Sequence, residues 1–376
     1  MCSFYKIIVS GMFIYLSICT YAQNWNPETT SLKEAFKGKF YIGTALSHYQ
    51  ISGNNKSVLS LVISQFNSIT AENVMKWEKI HPSPDKYNFG PADEFVNFGI
   101  ENNMFIIGHT LVWHSQAPDW IFETDSGKPA GRELLIERMK DHINNVMSRY
   151  KGKINGWDVV NEAFEDDGKM RESKWKKIIG EDYIEIAFKT ASAIDPDAEL
   201  YYNDYNLWKP EKRKAAIDVI KNMQSKGIRI DGVGLQGHWS LTTPAAGAID
   251  SAIQDFGKLG LKVMVTELDI NVLPNPWDYT GADVNTRFEL KGDINRYTQG
   301  LPDSVSIQQA NRYSDLFKVF LKHRETVERI TFWGVDDGHS WKNNWPVMGR
   351  TDYPLLFDRN FKPKACYFSI VELADK

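Results

Sequence analysis

RELLIERMKDHINNVMSRYKGKINGWDVVNE (132–162) contains the unit that decides the fold. From Arg132 to Tyr150, apolar residues recur every three or four positions, which predicts an amphipathic helix. The run Ile154–Val160 is short and mostly apolar, as in a strand that is buried on both faces. Two polar residues, Asn161 and Glu162, end that run. A helix that leads into a buried strand indicates parallel strands joined by crossover helices.

The same unit recurs along the chain. Further helical patterns cover Glu211–Lys226, Ala246–Leu259 and Gln308–His323. The eight apolar runs are Phe40–Ala45, Phe66–Ala71, Phe105–Leu111, Ile154–Val160, Glu199–Asn203, Gly232–Gln236, Lys262–Thr266 and Ile330–Val335. Eight strands that alternate with helices favour an α/β fold of the (β/α)8 TIM barrel type in a single domain. The pattern alone also permits an open doubly wound sheet.

Residues 1–22 are typical of a signal peptide. Lys6 is their only charged residue, an apolar run too short for a comfortable membrane span follows, and Thr20-Tyr21-Ala22 offers a small-x-small cleavage site. Cys19 offers lipid anchoring as an alternative, but the bulky Ile18 before it fits such a signal badly. We therefore expect export to the periplasm or the extracellular space, without a membrane-spanning segment.

The remaining residues, 23–376, show no linker and no second composition regime. We expect one catalytic barrel domain and a monomer. Cys366 is the only cysteine outside the signal segment, so no intramolecular disulfide is expected. The stretch 271–306 contains three prolines and several glycines and is the least regular. We interpret it as a long loop insertion after the seventh strand, a type of segment that is usually functional or flexible.

Charge and motifs argue against several function classes. The formal net charge is −4 without a basic cluster typical of nucleic-acid binding. His-Glu-x-x-His is absent, and His109 and His114 are five residues apart (114 − 109 = 5), a poor spacing for zinc. The string GVGLQG (232–237) matches a dinucleotide fingerprint but ends a strand instead of opening a helix. We expect neither a metal nor a cofactor.

Polar and aromatic residues follow nearly every apolar run. Since the carboxyl ends of the strands form the active site of a β/α barrel, these residues are candidates for chemistry and substrate binding. From the second strand to the eighth they are Glu72, Asn73, Lys76, His109, Trp113, Gln116, Asn161, Glu162, Asn203, Tyr205, Gln236, His238, Glu267, Asp269, Trp333 and Trp341.

Glu162 and Glu267 are the strongest pair among these candidates. Hydrolysis of a glycosidic bond uses two carboxyl groups that flank the bond, and one of them protonates the leaving oxygen. The fourth and seventh strands lie on roughly opposite sides of a barrel mouth, so the two carboxyl groups can converge on one sugar. Glu267 and Asp269 are two residues apart and share a face of their strand. His238, which ends the neighbouring strand, can bridge them as a supporting residue.

The assembled residues resemble glycoside hydrolase family 10, the β-1,4-xylanases of barrel fold. The resemblance extends from about Phe40 to Phe368. It rests on ITAENVMKW (69–77), GHTLVWHSQAPDW (108–120), GWDVVNEAF (156–164), YYNDYNL (201–207), GVGLQGHW (232–239), VMVTELDI (263–270) and FWGVDDGHSW (332–341). It implies an endo-acting hydrolase that cleaves the β-1,4-xylosidic bonds of xylan or xylo-oligosaccharides with retention, through a covalent glycosyl-enzyme intermediate.

The resemblance also implies residue roles. Glu162 is the acid/base, Glu267 is the nucleophile, and Asn161 binds the 2-hydroxyl of the attacked sugar. Lys76, His109, Trp113 and Gln236 line the same subsite, Glu72 and Asn73 hold the next sugar on the non-reducing side, Trp333 and Trp341 form its roof, and Asn203 and Tyr205 face the leaving group. Gln116 joins the substrate-binding set as a strand-end residue.

The residues leave two alternatives. An enzyme of the same barrel clan could act on cellulose or mixed-linkage glucan. Trp333 and Trp341 would argue against it if they crowd the position of the glucose hydroxymethyl group. The other alternative is a xylan-binding barrel without chemistry, and the presence of both Glu162 and Glu267 argues against it.

Overall fold

The computed structural model describes residues 31–54, 56–276, 279–281 and 283–374. The predicted signal peptide, residues 1–22, and Cys19 lie outside the described residues, so export remains a prediction. Within the described part, no helix combines the length and the apolar character needed to cross a bilayer.

Parallel strands form the centre of the described chain. They are β1 (Tyr41–Leu46), β2 (Ser68–Ala71), β3 (Phe105–Trp113), β4 (Gly156–Asn161), β5 (Glu199–Asp204), β6 (Gly232–Leu235), β7 (His238–Ser240), β8 (Lys262–Asn271) and β9 (Val327–Phe332). Strands β1 to β6 pair in sequence order, β6 pairs with β8, and β8 pairs with β9. The pairing of β9 with β1 closes eight strands into a barrel. The predicted (β/α)8 TIM barrel is therefore confirmed, and the open sheet is excluded.

The short strand β7 continues β6 after a break at Gln236 and Gly237. Gly237 has a φ of 90°, which an L-residue with a side chain rarely adopts. A Cβ atom there would also lie 2.8 Å from the Val265 side chain. Beyond this break, β7 pairs with the outer part of β8 and places His238 opposite Asp269. The break thus extends the barrel wall at the edge where the predicted site lies.

Helices join successive strands and cover the barrel. They are α1 (Leu32–Ala35), α2 (Lys56–Gln65), α3 (Trp77–Ile80), α4 (Gly90–Glu101), α5 (Arg132–Tyr150), α6 (Lys174–Ile179), α7 (Tyr183–Ile194), α8 (Pro210–Ser225), α9 (Ala246–Gly257), α10 (Asp303–Lys322) and α11 (Ala365–Ala374). The local sequence explains where two helices begin. The Ser31 and Ser173 hydroxyls cap α1 and α6 by accepting hydrogen bonds from backbone N–H groups of these helices. The final helix α11 packs against α10 and α1, so the first and last helices of the described chain meet.

Most of the apolar core lies between the barrel and its helices. Close packing there depends on small residues: a Cβ on Gly108 of β3 would lie 2.1 Å from the Trp157 ring of β4. A separate, smaller cluster of Ile107, Tyr201 and Met264 lies near the amino ends of the strands. The predicted site residues lie at the opposite, carboxyl ends of the strands.

Two strands continue two or more residues further than the sequence predicted. The third runs to Trp113 and the seventh barrel strand runs to Asn271. Trp113 and Glu267 therefore lie within strands instead of after them. Both strands have irregular register near these residues, which lets a strand continue while its side chains are redirected.

The predicted insertion 271–306 has slightly different limits in the structure. Asn271 is the last residue of β8, and Asp303 begins α10 with Pro302 at the N-cap position. The irregular segment is thus 272–302, which we call the β8 loop. Periodicity did not reveal the first turn of α10 because its side chains, from Asp303 to Ser306, are polar or only partly buried.

Candidate active site

A groove of about 510 Å³ opens at the carboxyl ends of the strands. Most of the predicted site residues line it: Glu72, Asn73, Lys76, His109, Trp113, Gln116, Asn161, Glu162, Gln236, His238, Glu267, Trp333 and Trp341. Three predicted residues, Asn203, Tyr205 and Asp269, are buried next to this set. The barrel thus brings candidates from both halves of the chain into one site.

Glu162 has an unusual backbone conformation. It follows β4 with a φ of 58°, a left-handed value that is strained for a residue other than glycine and is enriched at functional sites. Its N–H donates to the Asn203 carbonyl at 2.9 Å, and its carbonyl accepts from Arg171 Nε at 3.1 Å. The next N–H, of Ala163, donates to the Tyr202 hydroxyl at 3.1 Å. These bonds fix the turn that carries the side chain into the groove.

The carboxyl group of Glu162 is buried and favours its protonated form. Its two oxygens accept from Trp113 Nε1 at 2.9 Å and from Gln236 Nε2 at 2.8 Å. Burial raises the pKa of Glu162 above its usual value, and the two donors lower it by less. A carboxyl group that holds its proton to higher pH is suited to general acid catalysis.

Glu267 lies on β8 in an environment that favours the charged form. Its oxygens contact Asn203 Nδ2 at 2.8 Å and His238 Nε2 at 3.1 Å. Burial raises the pKa of Glu267. The opposing effects are larger: the His238 hydrogen bond, the charges of His109 and His238 and the Asn203 hydrogen bond bring the pKa below its usual value. An ionised carboxylate in the groove is suited to nucleophilic attack.

His238 bridges Glu267 and Asp269, in the arrangement that the sequence predicted. Its Nδ1 lies 2.9 Å from Asp269, while Nε2 faces Glu267. Burial lowers the pKa of the imidazole, but the charge and hydrogen bond of Asp269 and the bond to Glu267 raise it above its usual value. Asp269 also accepts from Trp341 Nε1 at 2.8 Å. A protonated His238 can therefore donate to both carboxylates and oppose their repulsion.

Asn203 has a different position from the predicted one. It is fully buried, and its amide donates to Glu267 and accepts from Thr266 Oγ1 at 2.6 Å. Gly234 on the neighbouring strand makes room for it, because a Cβ there would lie 2.2 Å from Asn203 Oδ1. Instead of facing a leaving group, Asn203 holds the Glu267 carboxylate in place.

The polar side of the groove is an ordered network around Lys76. Its ammonium donates to Asn73 Oδ1 at 3.0 Å and Gln116 Oε1 at 2.9 Å, and lies 5.0 Å from the Trp113 ring centre. Burial lowers the pKa of Lys76, although the neighbouring carboxylates act in the opposite direction. Burial also disfavours the charged form of Glu72 and raises the pKa of its carboxyl group. These fixed donors and acceptors can recognise the hydroxyl groups of a neutral sugar.

Aromatic rings form the facing wall. The ring centres of Trp333 and Trp341 lie 5.4 Å from His109 and 4.7 Å from His238, respectively. Trp341 stacks on Trp345 with 4.4 Å between ring centres. The buried Lys342 ammonium lies 4.4 Å and 4.5 Å from the centres of these two rings. This stack gives the groove a rigid wall suited to one face of a sugar ring.

Arg171 is a site residue that the sequence did not reveal. Besides the Glu162 carbonyl, it contacts the Tyr205 hydroxyl, to which its Nη2 donates at 2.7 Å. It therefore couples the backbone of the predicted acid/base to a residue predicted at the leaving-group side. Arg171 lies in the loop after β4 and not at a strand end, so only the three-dimensional contacts could identify it.

The β8 loop also reaches the groove. Val284, Asn285 and Arg287 line the groove. Asn285 Nδ2 lies 3.5 Å from Ser115 Oγ, in the loop that follows β3. Tyr279 packs with Tyr205, Trp341 and Trp345 in a small aromatic cluster. The loop is thus part of the groove wall and covers Tyr205.

Comparison with known proteins gives a consistent result. The model of glycosyl hydrolase family 10 matches residues 31–373. Endo-1,4-beta-xylanase A of Xylanibacter ruminicola is 44% identical over 358 residues, which are 95% of this chain and 96% of that protein. A beta-1,4-xylanase of Dictyoglomus thermophilum is 43% identical over 348 residues, covering 92% of this chain and 91% of the relative.

Solved structures agree with this match. A GH10 endoxylanase retrieved from a sugarcane soil metagenome superimposes with a TM-score of 0.88 at 44% identity, covering 92% of this chain and 99% of the other. A mutant structure in complex with xylotriose superimposes with a TM-score of 0.81 at 39% identity, covering 92% of this chain and 100% of the other.

Proposed function

Because the chain belongs to glycosyl hydrolase family 10, we propose that it is an endo-β-1,4-xylanase that cleaves xylan with net retention, using Glu162 as acid/base and Glu267 as nucleophile. The relatives named above are xylanases, and one structural neighbour was solved with xylotriose, which supports xylan and xylo-oligosaccharides as substrates.

The observation that carries this proposal is the opposite environment of the two carboxyl groups. Both line one groove, but the pKa of Glu162 is raised by burial while the pKa of Glu267 is lowered by its donors. In a retaining glycosidase one carboxyl group must hold a proton while the other is ionised. The environments therefore match the roles of a proton donor and a nucleophile.

In the first step, a carboxylate oxygen of Glu267 attacks the anomeric carbon and forms a covalent bond with it. The bond between that carbon and the glycosidic oxygen breaks, and the Glu162 proton passes to the oxygen, so the leaving chain departs as an alcohol. Asn161 lines the groove, and its proposed role is to bind the 2-hydroxyl, a contact that strengthens as the sugar acquires oxocarbenium character.

In the second step, water attacks the same carbon from the side that the leaving chain vacated. Glu162, now a carboxylate, accepts the proton of that water, and the ester bond to Glu267 breaks. Both glutamates return to their starting protonation states. Two inversions at one carbon give net retention of the β configuration.

The β-glucan alternative is not favoured. Xylose lacks the hydroxymethyl group of glucose, so a xylan site can be closed by rigid walls. Trp341 forms such a wall because Asp269 holds its indole N–H and Trp345 supports its ring. A binding protein without chemistry would not need one raised and one lowered carboxyl pKa in the same groove.

The proposal is tested by assaying the purified enzyme on glucuronoarabinoxylan and on carboxymethylcellulose. We expect release of xylo-oligosaccharides of mixed length from xylan, with little cleavage of the cellulose derivative. Equal or greater activity on carboxymethylcellulose would overturn the substrate assignment. Release of xylose alone from chain ends would overturn endo action.

We also infer export, which the signal-like pattern of residues 1–22 supports. Xylan is a polymer too large to enter a cell, so its endo-hydrolysis suits an exported enzyme. The amino-terminal sequence of the protein recovered from outside the cytoplasm should begin at Gln23.

A further inference from the structure

The β8 loop holds Arg287 in the groove that contains Glu162 and Glu267. The neighbouring residue, Phe288, donates its N–H to the Pro346 carbonyl at 2.9 Å and forms an isolated parallel bridge with Val347. Before it, the Asp283 carbonyl accepts from Trp345 Nε1 at 3.2 Å. The loop is therefore anchored to the β9 side of the site on both sides of Arg287, so the position of Arg287 is defined.

The guanidinium group of Arg287 is oriented by its own loop. Its Nη1 donates to the carbonyls of Val284 at 2.5 Å and Thr286 at 2.8 Å. No carboxylate of the described residues forms an ion pair with it, whereas the other two cations of the β8 loop, Lys291 and Arg296, pair with acidic residues of the same loop. Arg287 thus presents an exposed cation whose direction is partly fixed.

The other charged residues of the groove show which cation is free to bind an anionic group. Four carboxyl groups, those of Glu72, Glu78, Glu162 and Glu267, line the groove, so an anionic substrate group needs a cation that these residues do not already engage. The other lining residues that can carry a positive charge are engaged by protein groups: Lys76 by two amide oxygens, His109 by Asp158 and His238 by two carboxylates. Among the described residues that line the groove, Arg287 is the exposed cation that remains available to an anionic group.

We propose that Arg287 binds the carboxylate of a uronic acid side group on xylan, so that the enzyme favours acidic over neutral xylan. This rests on the proposed function. A guanidinium can form two parallel N–H···O bonds with a carboxylate, and the nitrogens of Arg287 other than Nη1 have no protein partner among the described residues. The β8 loop would then be the part of the chain that selects for substituted polymer.

The test uses glucuronoxylan and the same polymer after chemical reduction of its carboxyl groups, which yields a neutral side sugar of nearly equal size. The measured quantity is the ratio of kcat/KM on the acidic polymer to kcat/KM on the reduced polymer. Arg287→Gln should lower this ratio about two- to fivefold, the range expected for an exposed ion pair. Arg287→Lys should give an intermediate ratio, since it keeps the charge but not the planar fork.

Two controls complete the design. Arg296→Gln removes the same charge from the same loop, but Arg296 pairs with Asp293 and lines a neighbouring cavity, so the ratio should stay at the wild-type value. Added salt should bring the wild-type ratio towards that of Arg287→Gln, because the contact is screened by solvent ions. Circular dichroism checks that each variant is folded.

The proposal is overturned if Arg287→Gln keeps the wild-type ratio, if it loses activity equally on both polymers, or if Arg296→Gln causes the same drop. A salt-independent wild-type ratio would overturn it even if the variants failed to fold. Failure of the wild type to cleave either polymer would instead overturn the proposed function. If the wild type cleaves both polymers and Arg287→Gln leaves the ratio of kcat/KM unchanged, only the role proposed for Arg287 is excluded.

Discussion

At the scale of single residues, Glu162 and Glu267 have the same side chain, but their neighbours shift the two pKa values in opposite directions. Glu162 and Glu267 were predictable from the sequence because each follows or continues a buried apolar run. Their pKa directions were only partly predictable: the His238 bridge follows from strand neighbours, but the buried donor Asn203 was expected to face substrate. Arg171 could not be predicted, because its contact with the Glu162 carbonyl depends on how a loop folds back.

Replacement of the acid/base tests the division of roles. Glu162→Ala should lower kcat/KM on xylan by about 10²–10⁴-fold, the usual contribution of general acid–base catalysis. On a dinitrophenyl xylobioside, whose leaving group needs no proton, the first step should persist and the covalent intermediate should accumulate. Rapid-quench measurement should therefore show a burst of phenol followed by slow turnover.

Glu267→Ala is the matched variant for this experiment. It removes the attacking group, so no burst is expected on the same activated substrate. If the two variants were equally inactive in the first step, the assignment of the roles would be wrong.

The pH dependence tests the bridge between Glu267 and Asp269. His238 lowers the pKa of Glu267, so replacing His238 should raise the pKa of this nucleophile. In His238→Asn, the acidic limb of the kcat/KM profile, which reports the free enzyme, should therefore move to higher pH. Asp269→Asn should move the acidic limb in the same direction, because it removes the charge that stabilises the protonated form of His238. An acidic limb unchanged in both folded variants would exclude the bridge from the mechanism.

At the scale of elements, hydrophobic periodicity predicted the strands and the long helices. The helix Arg132–Tyr150 has the predicted limits, and the eight predicted runs all correspond to barrel strands. Strand ends near the site were less predictable, because irregular register lets β3 and β8 continue past Leu111 and Thr266, where the apolar runs end. The β8 loop lacks periodicity altogether, so its contacts with Ser115 and Trp345 arise only in the folded chain.

The turn that carries Trp341 should control the choice between xylose and glucose. Trp341→Ala opens space beside the groove and should raise the ratio of activity on aryl cellobioside to activity on aryl xylobioside. Trp341→Phe is the control, since it also removes the N–H that Asp269 accepts but keeps most of the ring bulk. An equal shift in both variants would attribute the effect to the lost hydrogen bond, and no shift would make Trp341 a packing residue.

At the scale of the whole molecule, the barrel depends on close contact between neighbouring strands. Gly108 and Trp157 make such a contact in the wall that carries His109 and Glu162. Gly108→Ala should lower the free energy of unfolding by about 1–3 kcal/mol through overpacking. Urea titration measures this change.

Gly247→Ala provides the comparison for this barrel variant. Gly247 is exposed in α9, and a Cβ there meets no atom within 4 Å. The free energy of unfolding should stay the same or rise by up to about 1 kcal/mol, because alanine favours a helix more than glycine does. A similar loss in both variants would show that the contact with Trp157 is not the cause.

Net retention is the central consequence of assigning Glu162 and Glu267 to two displacements at one carbon. Proton NMR of xylohexaose hydrolysis, recorded within the first minutes, measures it by identifying the anomer that is released before mutarotation. The β anomer should appear first and the α anomer should grow in later at the mutarotation rate. Initial release of the α anomer would contradict the double displacement and the role of Glu267 as nucleophile.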